Sequence, residues 1–134
     1  HNFIPNCVVY TGSHDNDTTR GYFDQAKNNG NDIYEFTQKY LGYYEEDICN
    51  ALIKTAYAST ANVVIIPMQD VLNLGSEARM NFPGKPYGNW TWRFSWDQIP
   101  SHLPAYYKEM CQLYERPPQP EKEEEIENEK NDNN

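Results

Sequence analysis

Two bare apolar runs, Cys7-Val8-Val9-Tyr10 and Asn62-Val63-Val64-Ile65-Ile66, constrain the fold more than any other feature of the 134 residues. Neither alternates polar with apolar residues, so each reads as a strand buried on both faces, the pattern of parallel sheets covered by helices. Helical patterns fill the space between them, and strand, helices, strand makes a βαβ crossover with parallel strands. A polar pair follows each run: His14-Asp15 after the first, Gln69-Asp70 after the second. Parallel strands bring both pairs to one edge, the carboxyl edge at which α/β folds bind ligands.

Between the strands, Asp17-Thr18-Thr19-Arg20 offers capping side chains for a helix through Gly21, Tyr22, Phe23 and Gln25, which Asn28-Asn29-Gly30-Asn31 breaks. Asp32 and Glu35 have capping-box spacing, and Ile33, Phe36, Tyr40 and Leu41 predict one buried stripe up to Gly42. Glu45-Glu46-Asp47 puts acids at the start of a third helix, with Ile48, Leu52, Ile53, Ala56 and Tyr57 on its buried face. After the second strand, residues 74–93 show little periodicity, yet their Trp, Arg, Met and Phe content predicts an ordered loop. Ser101 is the expected cap of a last helix carrying Tyr106, Met110, Leu113 and Tyr114 on one face, before Pro117-Pro118 ends it.

Composition excludes several classes. The net charge is −9, but the tail from Glu121 to Asn134 holds seven acids against two lysines, which leaves a mildly acidic body without a basic patch. No electrostatic footprint for nucleic acid is visible, and a neutral polymer such as a carbohydrate suits this surface better. No run approaches the roughly 18 apolar residues of a membrane span, so no membrane partner is expected. Cys7, Cys49 and Cys111 are odd in number and form no CxxC pair, which favours reduced thiols and a cytoplasmic protein. His14 has no second histidine at ligand spacing, so neither a metal nor a cofactor is expected. The start at His1, with no basic or apolar leader, suggests a chain cut from something longer.

Two segments go beyond pattern. Val9-Tyr10-Thr11-Gly12-Ser13-His14-Asp15-Asn16-Asp17-Thr18-Thr19 resembles the last conserved block of the 4-α-glucanotransferases, also called amylomaltases or disproportionating enzymes, in glycoside hydrolase family 77. Ile66-Pro67-Met68-Gln69-Asp70-Val71-Leu72, Gly75 to Asn81, and Gly88-Asn89-Trp90-Thr91-Trp92-Arg93 are similar to that family's C-terminal loop. Ser13 stands where the family usually has Thr, Tyr22 often where it has Trp, and the acidic tail has no counterpart.

The resemblance implies an α/β fold, the last two βα units of a (β/α)8 TIM barrel, mostly helical with a short parallel strand pair. Residues 1–116 are then a C-terminal fragment of the barrel, and 117–134 an acidic tail expected to be disordered. It implies transfer of α-1,4-glucan segments between malto-oligosaccharides or starch- and glycogen-type glucans by a retaining mechanism. Such chemistry uses a nucleophilic carboxylate and an acid/base carboxylate, both upstream of this sequence in the family. Asp15 carries over as the transition-state stabiliser with His14 beside it, and Asn16, Gln69, Asp70, Arg79, Asn81, Trp90 and Trp92 as substrate contacts. The chain alone is expected to be inactive without the rest of the barrel and prone to self-association.

Blander readings stand beside these. Asp15 near Gly12, Ser13 and Asn16 reads alone as a turn or cap residue; the complete block reverses that. Glu77 and Arg79 read equally as a loop ion pair. The alternative function is a free-standing α-glucan-binding module without catalysis.

Overall fold

The computed structural model describes residues 2–42 and 47–116. Strand β1 (Val8–Tyr10) pairs in parallel with β2 (Val63–Ile65), Val8 opposite Val63 and Tyr10 opposite Ile65. Helices α1 (Thr19–Asn28), α2 (Ile33–Leu41) and α3 (Ile48–Tyr57) make the crossover. Helix α4 (Met68–Val71), 3₁₀ turns at Ser76–Ala78 and Trp96–Gln98, and α5 (Leu103–Leu113) follow. The expected acidic tail and the expected caps Glu45 and Glu46 lie outside the described residues.

The caps explain where the helices start. Thr18 Oγ1 accepts from the Gly21 amide (3.0 Å) to open α1, and Asp47 Oδ1 accepts from the Asn50 amide (3.0 Å) to open α3. Two cap expectations are corrected. Asp32 makes no capping bond: its backbone is already near-helical (ψ 2°), and Asn31 Oδ1 takes the Ile33 amide instead (2.9 Å). At α5, His102 rather than Ser101 is the flanking residue, and Pro104 sits in the first turn, where a missing N–H costs nothing. Gly42 closes α2 at φ +70°, the left-handed cap that glycine adopts without strain.

The core lies among α1, α2 and α3, where Phe23, Ile48 and Cys49 pack with Ile33, Tyr34, Leu41 and Leu52. Ile53 is almost fully enclosed, and Met110 of α5 is buried. Other stripe residues are not covered: Phe36, Tyr40 and Leu113 are exposed. Helix α2 rests on its neighbours through only part of its apolar arc.

The strands also differ from expectation. Val8, Tyr10, Val63 and Ile65 are 49%, 54%, 47% and 56% exposed, while Val9 and Val64 between them are partly covered. Alternate residues of a strand point to opposite faces, so only one face of this two-stranded sheet is covered.

Candidate functional site

The carboxyl edge of the sheet is built on Asp70. The chain turns into α4 directly after β2, which sends Asp70 inward, 3% exposed. Its Oδ1 accepts from the Thr19 amide (3.0 Å) and its Oδ2 from Thr19 Oγ1 (2.8 Å) and Thr11 Oγ1. One buried carboxylate thereby joins the end of β1, the start of α1 and the end of β2, and three donors offset its desolvation. Cys49 lies close by; burial, with the Asp70 and Asp47 carboxylates adding to it, pushes its thiol up to about 12. A thiol so raised stays protonated and is no nucleophile.

A second seam lies beside the first. Asp17 Oδ2 accepts from Ser76 Oγ and Gln25 Nε2, both at 2.7 Å, and so ties the loop after β1 to the loop after β2. Gly21 permits the approach: a Cβ there would stand 2.3 Å from Ser76 Oγ and 2.8 Å from the Ser76 amide nitrogen. Sequence reasoning missed Gly21, Gln25 and Ser76; its one available signal was a glycine early in a helix, where glycine costs stability.

Above these seams stand the residues expected to do chemistry. The Asn81 side-chain amide donates to Asp15 Oδ1 at 2.6 Å, and His14 Nε2 lies 3.4 Å from the same oxygen. Arg79 donates through Nη2 to the Asp15 carbonyl (2.7 Å) and through Nε to the Asn81 carbonyl (2.8 Å). The His14 ring lies 4.9 Å from the Trp90 ring. The Trp90 amide donates to the Met80 carbonyl (2.8 Å), closing the intervening loop, and Trp90 sits at φ +62°.

Beside them a cavity of about 200 Å³ is lined by His14, Asn16, Gln69, Asp70, Arg79 and Trp90 among others; Asp15 and Asn81 stand outside its lining. It is smaller than the roughly 300–1,000 Å³ typical of a small-molecule site. Several polar atoms in it already have protein partners: Asn16 Oδ1 accepts from the Ser13 amide and hydroxyl (both 2.8 Å), and Gln69 donates to the Ala78 carbonyl (3.3 Å). Trp92 does not line the cavity; its ring stacks on Phe94, and Trp96 beyond is 82% exposed. Glu77 and Arg79 form no ion pair, because Glu77 accepts from the Gly75 amide while Arg79 serves Asp15 and Asn81. Among the described residues, no three His, Cys, Asp or Glu side chains converge as metal ligands would.

The family model for 4-alpha-glucanotransferase matches residues 1–99. A chloroplastic/amyloplastic 4-alpha-glucanotransferase of Solanum tuberosum is 50% identical over 98 residues, covering 69% of this chain and 16% of the relative. The 4-alpha-glucanotransferase of Synechocystis is 44% identical over 112 residues, 83% of this chain and 22% of the relative. Among solved structures, an amylomaltase from Streptococcus agalactiae in complex with acarbose superposes with a TM-score of 0.76 at 29% identity, over 88% of this chain and 23% of that one. The chain thus spans less than a quarter of the length of each of these proteins.

Proposed function

Since this chain belongs to the 4-alpha-glucanotransferase family, we propose that it forms the closing part of the (β/α)8 barrel of such an enzyme, one that moves α-1,4-glucan segments between malto-oligosaccharides or starch- and glycogen-type glucans. The observation that carries the proposal is the meeting of His14 and Asp15, just past β1, with Asn81, 66 positions further along, at the shared carboxyl edge of a parallel pair. The matching relatives and the acarbose-bound structural neighbour support a glucan as the ligand.

In this reading the nucleophile and the acid/base carboxylate come from the rest of the barrel, and the chain alone is inactive. Asp15 holds sugar hydroxyls in the donor subsite and favours the oxocarbenium-like transition state through its negative charge. An ionised carboxylate is acceptor-only with about four lone-pair sites. The Asn81 amide orients Asp15 while leaving acceptor capacity for substrate. His14 adds a donor beside it, and Trp90 an apolar ring face against which a sugar can pack. The uncovered sheet face, Val8, Tyr10, Val63 and Ile65, supports both a place for the rest of the barrel and self-association of the chain alone. The free thiols Cys7, Cys49 and Cys111 support a reducing compartment, which we take to be the cytoplasm.

The test is disproportionation of maltotriose by the longest natural polypeptide carrying this sequence, and by its Asp15→Asn variant. Glucose and longer oligosaccharides are expected from the first, and turnover lower by roughly 10²–10³-fold from the second. Near-normal turnover of Asp15→Asn removes Asp15 from the mechanism. A natural polypeptide of 15.7 kDa that binds malto-oligosaccharides without transferring them leaves the glucan-binding module as the answer.

A further inference from the structure

We infer that Arg79 is a positioning residue that sets the orientation of the Asp15 carboxylate, not a group that binds sugar. The inference rests on the reading of Asp15 given above. One guanidinium spans two backbone carbonyls from distant loops, that of Asp15 (2.7 Å from Nη2) and that of Asn81 (2.8 Å from Nε). The side chains of those same two residues are bonded to each other at 2.6 Å. A closed circuit results: the side-chain bond fixes where the carboxylate points, and the guanidinium fixes the separation of the two backbones that carry it.

The partners of Arg79 favour this role over substrate contact. Two of its donor nitrogens are committed to carbonyls, and its guanidinium lies 4.6 Å from the centre of the Phe82 ring, which supports its flat face. Among the described residues, Arg79 forms no ion pair with a carboxylate; toward Asp15 it bonds the backbone carbonyl and not the side chain. Lysine could not replace it, because an ammonium on a flexible stem lacks the rigid fork that spans two acceptors. A displacement of about 1 Å at a catalytic group can cost roughly a hundredfold in rate, so a brace of this kind has leverage far beyond its own hydrogen bonds.

The experiment uses the longest natural polypeptide carrying this sequence, with Arg79→Ala and Arg79→Lys. Both are expected to lose roughly tenfold or more in kcat on maltotriose with KM changed less than about threefold, the signature of an interaction that matters in the transition state. Added ethylguanidinium, at concentrations that leave the melting temperature unchanged, is expected to restore part of the kcat of Arg79→Ala and none of that of Arg79→Lys. A rise in KM at constant kcat overturns the inference in favour of direct sugar contact, and wild-type kcat in Arg79→Lys overturns it as well. A second arm needs no activity: the Asn81 side-chain amide resonances, shifted by Asp15 in the wild type, are expected to move to the positions they take in Asp15→Asn when Arg79 is replaced by Ala. Unmoved Asn81 resonances overturn the brace. If the wild type shows no transfer, the functional reading falls and this spectral arm decides the positioning role alone.

Discussion

Asp70 and Asp15 sit at the same edge of the same sheet, one after each strand, and the chain treats them in opposite ways. Asp70 is buried and satisfied by three donors from two other segments. Asp15 is half exposed, with one amide on one of its oxygens and a histidine beside it. A buried carboxylate with three of its roughly four lone-pair sites taken by its own protein has little capacity left for a ligand; one held by a single amide keeps most of it. The difference teaches that Asp70 holds the edge together so that Asp15 can be offered from it.

The largest effect that would break this comparison is on Asp70. Asp70→Ala leaves three donors without their acceptor, and we expect at least about 3 kcal/mol lost in stability, read as a drop in the urea midpoint. Asp15→Asn should change stability by less than about 0.5 kcal/mol while abolishing most turnover. Equal destabilisation by the two variants would erase the distinction. Next comes Gly21→Ala, whose methyl would overlap Ser76. A loss of roughly 1–3 kcal/mol is expected, the usual cost of forcing an extra methyl into a packed contact; a neutral result would mean that the seam between Asp17 and Ser76 can open freely. Thr18→Ala removes the cap of α1, the helix whose first residue bonds Asp70, and should cost about 1 kcal/mol. The smallest effect is on the exposed Arg20–Asp24 pair (3.4 Å) one turn along α1, where Asp24→Ala should cost no more than about 0.5 kcal/mol. Stability comparable to that of Thr18→Ala is expected to be missing there; finding it would show that the edge depends on surface charge.

What was legible in the sequence follows what is local. Both strands, their parallel pairing and all three crossover helices could be read from apolar spacing and breakers, because those signals act within a turn or two of chain. His14 and Asp15 could be placed at the edge because a strand's end is marked by the residues after it. Competition between neighbours was not legible. Asn31 outbid Asp32 for the first amide of α2 because the backbone of Asp32 was already helical. Gln69-Asp70 looked like the counterpart of His14-Asp15, and the immediate turn into α4 buried Asp70 instead. Phe36 and Leu113 match a buried stripe by period, but period says which residues share a face and not how much of that face has a neighbour. The bond between Asp15 and Asn81 spans 66 positions and left no local mark.

The pairing of β1 with β2 also sets an order of events during synthesis. Val8 meets Val63, 55 positions later, and at about 5–20 residues per second a ribosome needs roughly 3–11 s to deliver the second strand after the first. In that interval β1 waits for β2, while the residues of the α1–α3 core are made. The carboxylate that receives Thr11 and Thr19 is made later still, at position 70. The helices are therefore in a position to assemble first, and the edge that presents Asp15 is closed only after β2 has been made, by Asp70 and then by Arg79 and Asn81.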